Sequence, residues 1–188
     1  MKKFVKEIIQ TQVKLMQEVN PESIIKLSSY IINAINKNKK VFFMGNGGSA
    51  ATASHICADF NRYLINKKNK KSFFYCLNDN VALMTSIAND LSYEDIFIEQ
   101  LKGFLQKDDV IIAISGKGNS KNVINAVKYA NKQGAVSLAL CGYDGGELLK
   151  CASFYLHTEN SDMQVVENMH LILLHIILKY LIKLNAYT

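Results

Sequence analysis

Met44-Gly45-Asn46-Gly47-Gly48-Ser49-Ala50 is the stretch on which the reading of the fold turns. An apolar, strand-like run, Val41 to Met44, precedes it. The segment that follows, Ala51-Thr52-Ala53-Ser54-His55-Ile56-Cys57-Ala58-Asp59-Phe60, is alanine-rich with helical periodicity. Three glycines at a strand-to-helix junction let the backbone turn sharply and approach a ligand closely. The free N–H groups that open the helix then face that ligand, and the helix dipole favours an anion there. One turn further, His55 and Asp59 stand at i and i+4, on one helix face, as a proton-handling or metal-binding pair.

Outward from this junction the pattern alternates. Strand-like runs fall at Val41–Met44, Ser72–Leu77, Val110–Ile114, Val136–Leu140 and Ser153–His157. Helical segments are expected at about 48–65, 81–88, 92–105, 120–132 and 163–184. Strands apolar throughout and separated by helices imply a five-stranded parallel sheet covered on both faces, a three-layer α/β sandwich. Two helices lead it. One spans residues 2–19; Asn20-Pro21 breaks the chain, and a second runs from Glu22 to about Asn36. Residues 1–38 either cover a sheet face or serve as an oligomer contact. With no internal linker, residues 1–188 read as a single domain. The lysine run Asn66-Lys67-Lys68-Asn69-Lys70-Lys71 reads as a solvated loop.

The chain has 188 residues, 49% of them hydrophobic, enough to bury a core. No stretch reaches about 20 uncharged apolar residues, the length of a membrane span. The most apolar run, Leu171 to Leu184, is short and carries His175, Lys179 and Lys183. The start of the chain has an early acid, Glu7, and no secretory apolar core. The four cysteines, at 57, 76, 141 and 151, have no CxxC spacing, which argues for reduced thiols in the cytoplasm over disulfides or a cysteine metal site. The net charge of +6 is almost all lysine, with Arg62 the only arginine. That balance, without a recognised motif, argues against nucleic acid and suits a small anionic substrate.

In an open parallel sheet, ligands bind at the carboxyl ends of the strands. Those ends carry the glycine loop, Asn78-Asp79-Asn80, Ser115-Gly116-Lys117-Gly118-Asn119-Ser120, and Gly142-Tyr143-Asp144-Gly145-Gly146. The second serine–glycine loop repeats the logic of the first, with Ser115 and Ser120 hydroxyls, an amide nest and Lys117 as a point charge. Its spacing matches neither a dinucleotide fingerprint nor a Walker loop, so a phosphate on a small molecule is the natural anion. The last helix carries Gln164, Glu167, His170 and His175. Glu167 and His175 are about 80° apart around its axis and about 12 Å along it. His157, at a strand end, reads as structural.

Gly45-Asn46-Gly47-Gly48-Ser49 with His55 and an acid at 59, Ala88-Asn89-Asp90, the loop ending Gly118-Asn119-Ser120, and Glu167 followed by His170 and His175 together resemble the phosphoheptose isomerases of the sugar isomerase (SIS) fold. The resemblance runs in order from about residue 5 to 182. It implies a flavodoxin-like SIS domain and a cytoplasmic homotetramer with active sites between subunits. It also implies zinc in several members, and an aldose–ketose isomerisation of sedoheptulose 7-phosphate for bacterial surface polysaccharide.

Carried over residue by residue, the resemblance gives Asp59 in place of a glutamate one methylene longer. It gives Glu167, with Gln164 nearby, in place of a glutamine eight residues before His175. It also gives a phosphate loop that has lost two hydroxyls. Asn80, or Asp79 beside it, stands where the family has an aspartate. The substrate contacts implied are Asn46, Gly47, Gly48, Ser49, Asp79, Asn80, Ser115, Gly116, Lys117, Ser120 and Gln164. Asp59 is the first candidate base with Glu167 its alternative, and His175 is the acid or shuttle. His55, Asp59, Glu167 and His175 supply ligand types suited to zinc, although the joint reach of Glu167 and His175 to one ion is borderline. The same residues also suit a metal-free isomerase. Two other readings compete: an isomerase of another sugar phosphate, and a non-catalytic SIS adaptor acting on a replication initiator.

Overall fold

The structure is a computed structural model that describes residues 1–64 and 73–184. The lysine run at 66–71, and the outer residues of the helix and strand expected beside it, lie outside the described residues.

The chain opens with helices α1 (Lys2–Gln17) and α2 (Pro21–Asn36). Pro21 takes the first helical position, and the Asn20 side chain accepts a hydrogen bond from the Glu22 N–H at 2.9 Å, so the expected break is a capped restart. Strands β1 (Lys40–Gly45), β2 (Phe73–Cys76), β3 (Val110–Ser115), β4 (Val136–Cys141) and β5 (Phe154–His157) follow, interleaved with helices. Those helices are α3 (Gly48–Leu64), α4 (Val81–Asp90), α5 (Ile98–Lys102), α6 (Lys121–Lys132), α7 (Gly146–Cys151) and α8 (Met163–Lys183). The sheet is parallel throughout, in the order β2-β1-β3-β4-β5.

Alternation along the strands divides the core. Val41, Phe43, Ile112, Ile114, Leu138 and Leu140 face α2, α3 and α8, where Phe43 packs against Phe60 and Phe74. Phe42, Met44, Ile111, Ala113 and Ala139 face α5, α6 and α7. Both faces of each central strand are covered, which is why β1 and β3 are apolar without interruption. Each fully buried aromatic such as Phe42 or Phe43 contributes about 2–3 kcal/mol of transfer free energy. Beneath the sheet, the fully buried Asp109 accepts from the N–H of Lys40 at 2.9 Å and from its ammonium at 3.3 Å. That pair ties the start of β1 to the start of β3.

Three features differ from the sequence expectation. The segment 92–105 is not one helix: a 3₁₀ turn at Tyr93–Asp95, held by the Ser92 hydroxyl donating to Asp95 at 2.7 Å, precedes the short α5, which Gly103 ends. Helix α7 is capped by Gly145 and starts at Gly146, both at positive φ, where only a polar loop was expected. By length and composition α8 is apolar enough to cross a membrane, but half of its most apolar window is buried inside the fold. It is the central helix of the α2/α3 face, and that burial accounts for its composition. Helix α1 lies on the outside, joined to α8 by Gln12 donating to the Val165 carbonyl at 3.3 Å, and it has no buried residue.

Candidate active site

The strand order reverses between β1 and β3. Their outgoing loops therefore diverge and leave a crevice at the carboxyl edge of the sheet. A cleft of about 300 Å³ occupies it. Asn46, Gly47, Gly48 and Ser49 border it from the first loop, Ser115, Gly116, Lys117 and Ser120 from the second, and Met163 and Glu167 from α8. Gly47 and Gly118 adopt φ of +55° and +67°, conformations that side-chain-bearing residues rarely tolerate. Ser49 and Ser115 are buried, and the Ser115 and Ser120 hydroxyl oxygens lie 3.4 Å apart. Lys117 reaches back over the Tyr143 ring, 5.4 Å from its centroid.

The start of α8 lies directly on these loops. Asp162 caps it, accepting from the Gln164 and Val165 N–H groups at 3.0 and 3.1 Å. One turn in, the Glu167 carboxylate sits against Gly48, and a methyl group there would be 2.5 Å from both of its oxygens. A methyl on Gly116 would collide with the Met163 sulfur. Glycine at both positions is what lets the helix close over the cleft.

The other expected contacts have different surroundings. Asn80 caps α4, accepting from the Leu83 N–H at 3.0 Å, while Asp79 and Gln164 are exposed and do not border the cleft. Asn46 borders the cleft, and its side-chain amide is paired with Asn122. Asn78 holds both main-chain groups of Gly45, accepting from its N–H at 3.1 Å and donating to its carbonyl at 2.8 Å. Sequence reasoning placed Asn78 in a strand-end loop without giving it a role, and passed over Asn122 and Tyr93. An asparagine two residues beyond the end of β2 was the available signal for Asn78; the partners of Asn46 are too distant in sequence to have left one.

The ionisable cluster stands apart from the cleft. His55 Nε2 and His175 Nε2 are 3.2 Å apart, and Asp59 Oδ2 lies 3.7 and 3.6 Å from them. These three could hold a metal ion, with all donor atoms within 4.8 Å of one another; Glu167 is not in the group. Ligand bonds of about 2.0–2.1 Å at a tetrahedral zinc place neighbouring donors about 3.3 Å apart, so the three donors fit one face of such a site. All three side chains remain open to solvent.

Gly48 meets Glu167 and His55 meets His175, so α3 and α8 run side by side in the same direction. The cluster therefore lies seven and eight residues beyond the cleft, about 10–12 Å along the helices. Between Glu167 and His175, His170 is fully buried and neither ring nitrogen makes a hydrogen bond. Burial pushes its pKa down to about 4, with the Cys141 backbone opposing.

Comparison with known proteins agrees with this architecture. The SIS domain family model matches residues 3–142, which include both cleft loops. Phosphoheptose isomerase from Sulfurimonas denitrificans is 36% identical over 94% of this chain and 93% of its own length. A probable phosphoheptose isomerase from Thermoplasma acidophilum is 34% identical over 94% of both. In structure, phosphoheptose isomerase GmhA from Neisseria gonorrhoeae superposes with a TM-score of 0.87 at 24% identity, covering 97% of this chain and 96% of that one. The chain thus belongs to the SIS-domain family and, within it, to the phosphoheptose isomerases, which are sugar-phosphate isomerases.

Proposed function

We propose that the chain interconverts D-sedoheptulose 7-phosphate and D-glycero-D-manno-heptose 7-phosphate, with the phosphate in the cleft and the first two carbons at the His55–Asp59–His175 cluster. The separation of these two features carries the reading. Six carbon–carbon bonds of about 1.5 Å in an extended chain, with the phosphate ester added, span about 10 Å. A seven-carbon sugar held by its terminal phosphate thus reaches from one to the other.

In the ketose, Asp59 takes a proton from C1 while His175 donates one to the C2 carbonyl oxygen, giving the enediol. The C1 hydroxyl then returns its proton to His175 as Asp59 protonates C2, and the aldose forms with no net gain or loss of electrons. The Ser49, Ser115 and Ser120 hydroxyls and the Gly47 to Ser49 and loop amides hold the phosphate, with Lys117 adding charge. Glu167, on the cleft wall, accepts hydrogen bonds from the sugar hydroxyls and is the alternative base. Zinc suits the two imidazoles and Asp59, and when bound it supplies charge stabilisation for the enediolate.

The apolar stripe of α1, from Phe4 through Ile8 and Ile9 to Val13, is exposed and supports assembly into a homotetramer whose neighbouring subunit closes the solvent-open cluster. Four free cysteines support a cytoplasmic setting. The product would supply heptose for lipopolysaccharide or capsule.

Incubation with sedoheptulose 7-phosphate in D₂O, followed by NMR, tests the proposal. The expected result is an aldose 7-phosphate carrying deuterium at C2. A folded, zinc-supplemented protein that leaves the ketose unchanged would refute it. Metal analysis of protein purified without chelators is expected to find about one zinc per chain; metal-free protein with full activity in chelator would remove the metal role.

A further inference from the structure

We infer that Asn122 is a positioning residue that fixes the width of the anion cleft, acting through Asn46 together with Tyr93. This rests on the reading of the cleft as the phosphate site. Asn122 is the second residue of α6, only 2% exposed, on a face otherwise made of Val123, Ala126 and Val127. An amide buried there is costly unless every polar atom is paired. It is paired. Asn122 Nδ2 donates to Asn46 Oδ1 at 3.0 Å, and Asn46 Nδ2 donates back to Asn122 Oδ1 at 2.9 Å. The Val123 N–H gives Asn122 Oδ1 a second bond at 2.9 Å, and the Tyr93 hydroxyl gives Asn46 Oδ1 a second bond at 2.9 Å.

The location of this amide pair gives it a function. Asn46 opens the loop that leads through Gly47 to the N–H groups at the start of α3. Asn122 lies two residues beyond Ser120, at the end of the other loop. The reciprocal pair therefore bridges the two walls of the cleft with two bonds of fixed geometry, which an apolar contact would not provide. Tyr93 reads the same oxygen from the 3₁₀ turn, and that turn is itself tied to α6 by Lys121 donating to Glu94 at 2.9 Å. Asn46 is thereby committed to holding the loop, with its amide already engaged by Asn122 and Tyr93.

Two substitutions test this. Asn122→Asp keeps the shape but replaces the donor to Asn46 with an acceptor. Tyr93→Phe removes one hydroxyl from a residue that is 57% exposed, so it folds regardless. For Asn122→Asp the expected result is a KM for sedoheptulose 7-phosphate raised about tenfold with kcat within about twofold, and for Tyr93→Phe a rise of about threefold, as for a loss of uniform binding. The dissociation constant for inorganic phosphate, measured by calorimetry without any turnover, is expected to rise in parallel. That second readout separates the inference from the substrate assignment: a wild type inactive on the heptose that still binds phosphate, more weakly in both variants, refutes the substrate and upholds the positioning role. Folded variants with a lowered Tm but unchanged phosphate affinity and KM would show that the amide pair serves stability alone and would overturn the inference.

Discussion

The cleft between the β1 and β3 loops and the cluster at His55, Asp59 and His175 are built on the same two helices but in opposite ways. The two loops of the cleft are mostly glycines and short hydroxyl side chains with their backbone amides, joined by Lys117 and, from α8, by Met163 and Glu167. Its walls are tied by Asn78 to Gly45, by Asn46 to Asn122 and by Tyr93 to Asn46, so it is set before any ligand arrives. The cluster is made of side chains whose polar tips face solvent and one another. Preorganised amides suit an anion that undergoes no chemistry. Ionisable tips that can exchange protons or gather around an ion suit the end where bonds change. On the proposed reading, grip and chemistry are separated by about two helical turns, and each should be breakable without the other.

The largest effect is expected at the cluster. Asp59→Asn removes the carboxylate between the two imidazoles and should lower kcat by about a thousandfold, about 4 kcal/mol of transition-state stabilisation. Affinity for inorganic phosphate should stay within about twofold, measured by calorimetry on the same preparation. Parallel loss of phosphate binding would merge the two regions into one. Within the sugar-phosphate reading, Glu167→Gln is the counterpart. It should raise KM more than it lowers kcat, and the reverse would move the base from Asp59 to Glu167.

Next in size is a pH effect on the joint between the regions. The folded-state pKa of His170, about 4, lies below its ordinary value of 6.5. Between those values the unfolded chain binds more protons than the folded one, so stability rises with pH across that window. The contribution is intact above pH 6.5 and is lost progressively as pH falls toward 4, by up to about 3 kcal/mol. Denaturant unfolding at pH 7 and pH 4.5 should show the decline, and His170→Leu should flatten it. A His170→Leu protein with the same pH slope would assign the effect to other groups.

The smallest is a packing effect in the cleft. Gly48→Ala puts a methyl group against the Glu167 carboxylate, which must shift. The expected cost is about tenfold in kcat/KM, through KM, and the double variant Gly48→Ala/Glu167→Ala should lose no more than Glu167→Ala alone. Additive losses would mean that the two positions do not share the space.

How far the sequence disclosed this arrangement depended on the length scale of each feature. The central strands were legible because Phe42, Phe43, Ile111 and Ile112 are buried on alternate faces, so both faces of β1 and β3 had to be apolar. The two glycine loops were legible because Gly47 and Gly118 need backbone conformations that few other residues accept. Helix α7 was missed because six residues hold too little periodicity to register, and segment 92–105 was read as one helix although Gly103 ends α5 within it. Asn46 was read as a ligand contact and does border the cleft, but its pairing with Asn122 was not legible because the two lie 76 residues apart. The spacing from Glu167 to His175 showed that they were two turns apart. It did not show that Glu167 would turn toward Gly48, since that depends on how α8 lies against α3.

The separation of grip from chemistry is tested most directly by a chain-length series. The rate constant kcat/KM would be measured for sedoheptulose 7-phosphate, fructose 6-phosphate and ribulose 5-phosphate under one set of conditions. A ruler set by the distance from the Ser115–Ser120 loop to Asp59 predicts a fall of at least about tenfold for each carbon removed. Comparable turnover of all three would contradict it, because the shorter sugars cannot occupy the cleft and reach the cluster at once.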